Sequence, residues 1–289
     1  MSISHEAPRP QVDTLSASLV HTAIEPKGSL WPDLREIWRS RELLGFLIWR
    51  DVRVRYRQTA LGAAWVIVQP LMTALVFTLL FGRLIRIPSN DVPYPLFAFS
   101  GVLVWSYLAQ AVSRAATSIV SSASLVTRVY FPRLIVPLAA VMGPLLDFFL
   151  GFVVLLVLIV HYGVITHTKV LAAGLFLLVA LATALAIGMW LAATQVRFRD
   201  VGHVIPFVLQ MWMFASPVAY PTSLVPAKWL PLYSLNPMVG VIEGFRWAAV
   251  GSRPPDFVSL AVSTPAVLLL LVGGLIYFKR MERTFADVI

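Results

Sequence analysis

The chain has 289 residues, of which 58% are hydrophobic and only 13% charged, with a formal net charge of +9. Soluble domains carry roughly 25% charged residues, and a water-soluble fold of this length cannot hide so much apolar surface. The lack of cysteine excludes disulfides and thiolate metal sites, and in so apolar a chain the distribution of positive charge matters more than its sum, so nucleic acid is not an expected partner.

Residues 1–30 are rich in Pro, Ser, Thr and Ala without periodicity, which predicts a flexible cytoplasmic tail. Met1–Ser40 has no apolar h-region, so the first membrane helix is expected to act as the targeting signal. Between residues 31 and 60 the pattern changes. Leu44, Ile48 and Val52 recur at a spacing of four, while Arg50, Arg53 and Arg57 share another helix face with Arg55 beside them. This predicts an amphipathic helix over Leu34–Gln58, lying in the cytoplasmic interface with its arginines toward lipid phosphates.

About 20 apolar residues cross a bilayer core as a helix. Leu61–Gly82, Val92–Ser113, Val170–Val196, Val204–Ala227 and Phe257–Phe278 contain no Asp, Glu, Lys or Arg, and Leu134–Val160 is broken only by Asp147. The alternation of outer-membrane strands is absent. The reading is an all-α polytopic membrane protein with six transmembrane helices. Placing both termini in the cytoplasm leaves 17 of the 23 Lys and Arg inside, as the positive-inside rule favours.

The loop Ser122–Arg133 is not a minimal polar linker. It shows Leu125, Val126, Val129, Tyr130 and Phe131 among Arg128, Pro132 and Arg133, which suits either a partner surface or side chains dipping among headgroups. Residues 222–256 hold two short apolar runs around Asn236-Pro237. A seventh span there would put Glu243 and Arg246 in lipid at about 2.5–3.5 kcal/mol each. A re-entrant helical hairpin between spans five and six avoids this, provided protein covers its irregular backbone.

Asp147, the one acid within a span, is either a hydrogen-bonded packing carboxyl or part of a proton relay. Gln110, Gln195 and Gln210 are either helix glue or channel lining. Among 9 Trp, 8 Tyr and 17 Phe, the residues Trp65, Trp105, Tyr107, Trp212 and Phe214 are candidates to line a path for sugars, against the simpler reading of belts and packing. A phosphate-binding G-x-x-x-x-G-K-[ST] loop, metal-spaced histidines, a G-x-S-x-G elbow and paired catalytic carboxylates are all missing. No catalytic, cofactor or metal site is therefore assigned, and any work across the membrane draws energy from another subunit or an ion gradient.

Four stretches resemble the permeases of ABC-type polysaccharide exporters, which carry O-antigen, capsule or teichoic-acid chains. These are Leu47–Gly62 with Trp65 and Gln69-Pro70; Leu125–Arg133; Arg197-Phe-Arg-Asp200 with Pro206, Ser216-Pro217 and Tyr220-Pro221; and Asn236-Pro237…Glu243-Gly-Phe-Arg246 with the tail Phe285–Ile289. The likeness runs from about residue 31 to the end. It implies that residues 61–289 form a six-helix domain of the ABC type 2 class in the bacterial inner membrane. It further implies a homodimer bearing two ATP-binding-cassette subunits that hold the ATP and Mg. Arg128, Tyr130, Phe131, Pro132 and Arg133 become the ATPase-coupling segment, and Arg50, Arg53, Arg55 and Arg57 belong to a gate helix. Asn236, Pro237, Glu243 and Arg246 sit in a re-entrant external mouth, and the implied cargo is a polyprenyl-linked glycan. The rival classes are a membrane-embedded transferase, disfavoured by the missing acid–base groups, and an ion-coupled carrier using Asp147.

Overall fold

The computed structural model describes residues 34–57, 62–164 and 170–285; the expected tail at 1–30 lies outside them. All regular structure in the described residues is helical. The segment expected to lie in the interface forms α1 (Leu34–Arg39) and α2 (Arg41–Arg57), separated at Ser40, whose hydroxyl donates to the Glu36 carbonyl. Next come α3 (Gly62–Phe77), prolonged by a π-helical turn Thr78–Leu84, α4 (Tyr94–Ser121) and the short α5 (Ala123–Arg128). The third apolar run is two pieces, α6 (Ile135–Met142) and α7 (Leu145–His161), divided at Gly143-Pro144 because proline cannot donate to the preceding turn. Then follow α8 (Val170–Arg197), α9 (Val201–Phe214), α10 (Leu230–Tyr233), α11 (Pro237–Val250) and α12 (Phe257–Glu282).

Five helical stretches among the described residues are long and apolar enough to cross a membrane: Ala64–Leu84, Tyr94–Ser121, Ile135–His161, Leu171–Arg197 and Phe257–Glu282. The run expected as a fifth span, Val204–Ala227, does not continue as one helix. It gives the 14-residue α9 and then irregular chain from Ala215. A helix of that length rises roughly 21 Å, short of a hydrocarbon core about 30 Å thick. Ser216-Pro217 and Tyr220-Pro221 fall in the irregular stretch, where proline restricts itself and the residue before it.

Helix α4 is the axis of the molecule. Of its most apolar window 78% is buried, against 17% for the first long helix and 22% for the last. Small residues let α4 and α8 approach closely: a Cβ on Gly188 would stand 2.5 Å from that of Ala115. Helix α12 approaches α8 the same way at Gly274, where an added Cβ would lie 2.8 Å from the Ala186 carbonyl oxygen. Helix α11 is buried along nearly its whole length in contact with α4, α8 and α12, and ends at Gly251 in the left-handed region (φ 70°).

A second apolar core lies at the end of the molecule where α2, α5 and the tail meet. Leu47, Val126, Phe131, Ile135, Met189, Val196, Phe278 and Phe285 pack there together. This cluster fixes α2 and the α5 loop to the same end of the helix bundle.

Candidate functional site

Helix α2 turns the apolar residues spaced four apart toward the protein. Leu47 is buried and Leu44, Ile48 and Val52 are half-buried, while Arg53 and Arg57 are exposed beside Phe46, Trp49 and Val54. Arg50 lies near the edge and pairs with Asp51 at 3.0 Å. Arg55 departs from the expected orientation toward lipid phosphates. It turns inward, where its Nη1 donates to the Asp147 carboxylate, and the neighbouring Tyr56 hydroxyl donates to the other carboxylate oxygen. Burial, followed by that hydrogen bond, pushes the Tyr56 phenol up to about 12, so it stays a proton donor at neutral pH. Asp147 is 5% exposed, and its two partners stand 92 and 91 residues earlier in the chain. Its geometry is that of a packing carboxyl: it latches α2 onto the start of α7.

The α5 loop divides into a projecting and an anchored half. Arg128, Val129 and Tyr130 are exposed, Tyr130 at 71%. Phe131 is buried in the second core, and Arg133 reaches α12, its guanidinium donating to the Glu282 carbonyl and its backbone N–H to Glu282 Oε1 (3.3 Å). Only the first half of the expected coupling segment therefore faces outward. Phe131 and Arg133, with the half-buried Pro132 between them, hold its base.

The most polar part of the interior surrounds the irregular chain after α9. Five carbonyls between Phe214 and Ala219 that leave the helix ladder are taken up by side chains. Tyr220 hydroxyl donates to Phe214 O (3.0 Å), Asn236 Nδ2 to Ala215 O (3.1 Å), and Tyr94 hydroxyl to Ala219 O (2.6 Å). Arg246 Nη2 serves both Pro217 O (3.0 Å) and Val218 O (2.9 Å), with its guanidinium 3.6 Å over the Phe97 ring. Asn236 also caps α11 by accepting from Met238 N (3.0 Å), and accepts from Trp212 Nε1 (2.9 Å). One amide thus joins the end of α9 to the start of α11, with Pro237 at the first helical position.

Glu243 and Arg246, read from sequence as groups that a hairpin would keep out of lipid, are both buried in protein: Glu243 is 7% exposed and Arg246 is 1%. The Glu243 carboxylate accepts from Thr222 N (2.9 Å) and Thr222 Oγ1 (2.6 Å). Their burial is tolerable because each has polar partners. Sequence reasoning missed these partners, which lie 21 to 29 residues away in chain that reads as span or linker.

The five aromatic candidates separate. Trp105 and Tyr107 are 4% and 1% exposed within the core, Trp105 edge-on to Trp212 (5.4 Å) and Tyr107 against Phe148 (6.0 Å). Trp212 is half-buried and committed to Asn236. Trp65 and Phe214, at 59% and 48%, are the two that face outward. No group of three or more His, Asp or Glu able to hold a metal ion occurs among the described residues.

Comparison with known proteins agrees with this architecture. The sequence profile of the family described as "ABC-2 type transporter" matches residues 42–250. The O-antigen export system permease protein RfbA of Myxococcus xanthus is 34% identical over 260 residues, covering 89% of this chain and 98% of the relative. The protein of the same name from Klebsiella pneumoniae is 23% identical over 86% of the chain and 95% of its own length. The polysialic acid transport protein KpsM of Escherichia coli is 25% identical over 82% and 92%. With the profile spanning nearly all of α2, the α5 loop and the buried α11 alike, this chain belongs to the ABC-2 type transporter family.

Proposed function

We propose that the chain is the membrane-spanning subunit of an ATP-driven exporter that moves an O-antigen-like polysaccharide on a polyprenyl pyrophosphate from the cytoplasm to the outer face of the inner membrane. The observation that carries this reading is near full-length similarity to an O-antigen export permease, 98% of which is covered. Capsule and teichoic-acid chains are the alternative cargoes. The smaller similarity to the polysialic acid transport protein favours them less.

A second copy and two ATP-binding-cassette subunits complete the machine. Both termini lie in the cytoplasm in this reading, as the charge distribution favours. Arg128 and Tyr130 then dock in the ATPase, and the anchorage of Phe131 and Arg133 supports a stiff transmission of force from that contact to α12. The segment from α10 to α11 is the re-entrant external mouth. Trp65 and Phe214 are the aromatics left to meet the C–H faces of sugars.

The test is purification of the tagged chain in mild detergent with mass spectrometry of what remains bound. A stoichiometric ATPase carrying the phosphate-binding loop absent here is expected, and recovery of the chain alone overturns the two-component reading. Arg128→Glu and Tyr130→Asp are expected to abolish permease-dependent ATPase stimulation while membrane insertion stays normal. Unchanged export in both variants refutes the coupling role.

A further inference from the structure

We propose that Glu243 and Arg246 form an exchangeable clasp: they hold the irregular chain from Ala215 to Thr222 in this structure, and they pair with each other when that chain lifts away. Among the described residues, the segment is tied to other elements by side chains alone. Its backbone-to-backbone hydrogen bonds run only to itself, to the last turn of α9 and to the turn that follows at Thr222–Leu224. The ties across the fold come from Tyr94 on α4, from Tyr233 on α10 through the Tyr220 hydroxyl (3.2 Å), and from Asn236, Glu243 and Arg246 at α11. Chain held in this way can leave its seat without breaking any helix ladder.

Two charges on α11 do much of the holding. Glu243 and Arg246 stand at i and i+3, neighbours on the helix surface, yet no ion pair joins them among the described residues. Both oxygens of the Glu243 carboxylate are taken by Thr222, Oε1 by its N–H (2.9 Å) and Oε2 by its hydroxyl (2.6 Å). On Arg246 the segment occupies one nitrogen, Nη2, which serves the Pro217 and Val218 carbonyls. Nη2 is the nitrogen common to the two edges of a guanidinium that can meet a carboxylate with a pair of parallel N–H donors. Its capture blocks both edges. Nε and Nη1 are meanwhile buried without a partner, a state that native proteins seldom leave unexplained.

A single movement therefore frees both partners at once. When the segment lifts, Thr222 leaves the carboxylate, the two carbonyls leave Nη2, and the side chains close on each other across one turn of helix. Without this exchange, release would strand two opposite charges in a buried site, where an uncompensated charge costs far more than a lost hydrogen bond. With it the charges stay balanced, and an orphaned nitrogen beside Nη2 gains the acceptor it lacks while the segment is seated. Helix α11 need not follow, because it is seated against α4, α8 and α12 along nearly its whole length. The clasp makes the end of α9 a movable part beside a fixed helix, with two discrete arrangements of the same pair of side chains.

The experiment uses the full chain in phosphatidylcholine nanodiscs and a maleimide, since the chain has no cysteine of its own. Ala219→Cys places a thiol in the segment at a position 6% exposed and keeps the backbone tether to Tyr94. Ala248→Cys, in a separate chain, places one at a fully buried position on α11 and reports whether that helix opens too. Thr222→Val weakens only the seated arrangement and is expected to speed labelling of the 219 thiol roughly tenfold to a hundredfold, the range for a lost hydrogen bond to a charged group. Glu243→Gln is the deciding variant. Its amide oxygen still accepts from Thr222 but cannot form an ion pair with Arg246. Labelling is therefore expected to slow roughly tenfold or more, because losing a buried charge partner outweighs losing charge assistance in a hydrogen bond. A plain anchor would be loosened by the same change, so labelling as fast as the wild type or faster overturns the proposal. If Glu243→Gln does not fold, Arg246→Lys takes its place: an ammonium can serve both carbonyls but has no two-donor edge. Slower labelling is again expected, and a rate equal to or above that of the wild type is equally fatal. A 248 thiol that labels in step with the 219 thiol in the Thr222→Val background also sinks the clasp, because helix and segment then open together.

Discussion

The latch between α2 and α7 gives a quantitative handle on how firmly α2 is held. The chain has no cysteine, so Leu47→Cys introduces a single thiol on the inward face of α2, at a position 2% exposed. A maleimide reaches that thiol only when α2 lifts away, and while reclosing outpaces labelling the rate reports the opening equilibrium. Asp147→Ala in this background leaves Arg55, whose side chain is 15% exposed, without its counter-charge. Removing one partner of a buried pair costs about 3–5 kcal/mol. Labelling is therefore expected to accelerate by roughly two to three and a half decades. Asp147→Asn keeps the shape and the Tyr56 hydrogen bond but exchanges a charge-assisted contact for a neutral one, a difference of about 1–2 kcal/mol, or roughly 5- to 30-fold. The double replacement Arg55→Met with Asp147→Leu is expected to label more slowly than Asp147→Ala alone, because an apolar pair requires no desolvation. A labelling rate unchanged by Asp147→Ala, or a double variant equal to the sum of its single changes, refutes the latch.

Other positions yield independent tests. Arg246→Met removes the donor shared by the Pro217 and Val218 carbonyls and the cation over Phe97; a loss of about 2–4 kcal/mol is expected, read as a lower Tm in detergent by tryptophan fluorescence. Gly101→Ala sets a methyl against Arg246 Nη2 and 2.8 Å from the Val218 carbonyl oxygen, so it is expected to destabilise by about 1–3 kcal/mol in the same assay, while Gly45→Ala, with open space around it, is not. Phe285→Ala empties a fully buried place beside Phe278 at a cost of about 3–5 kcal/mol, and limited proteolysis is expected to cut first near the α5 loop that shares this core. Protection equal to wild type at that loop argues against the shared core.

Long apolar runs announced most of the membrane helices, because a span needs length and little else from its sequence. Where the chain departs from that rule, sequence gave the place but not the outcome. Asp147 stood out as a lone acid, yet its partners are an arginine read as facing lipid and a tyrosine that no pattern distinguished. The prolines at 206, 217 and 221 were visible, but only Pro217 and Pro221 fall where helix α9 has stopped; Pro206 lies within it. Glu243 and Arg246 looked too costly to bury because their cost was reckoned against lipid. The protein lowers that cost with Thr222, Pro217 and Val218, whose availability depends on the fold. Phe131 likewise looked like partner surface, and burial in the second core reassigned it. Whether an apolar loop residue faces a partner or its own protein is decided by packing that adjacent residues do not encode.

The latch also has a consequence for the order in which the chain is made. Arg55 and Tyr56 leave the ribosome more than 90 residues before Asp147, so at about 5–20 residues per second α2 exists for several seconds without the carboxylate it docks on. With Arg53 and Arg57 exposed beside Phe46 and Trp49, the helix has the chemistry to rest on a bilayer surface during that interval, with lipid phosphates as provisional partners. Docking must await insertion of α7 and completion of the end core by Phe278 and Phe285. A helix made before the bundle it docks on is thereby among the last parts to be secured, and a chain with a loose α2 is the natural signature of one left unfinished.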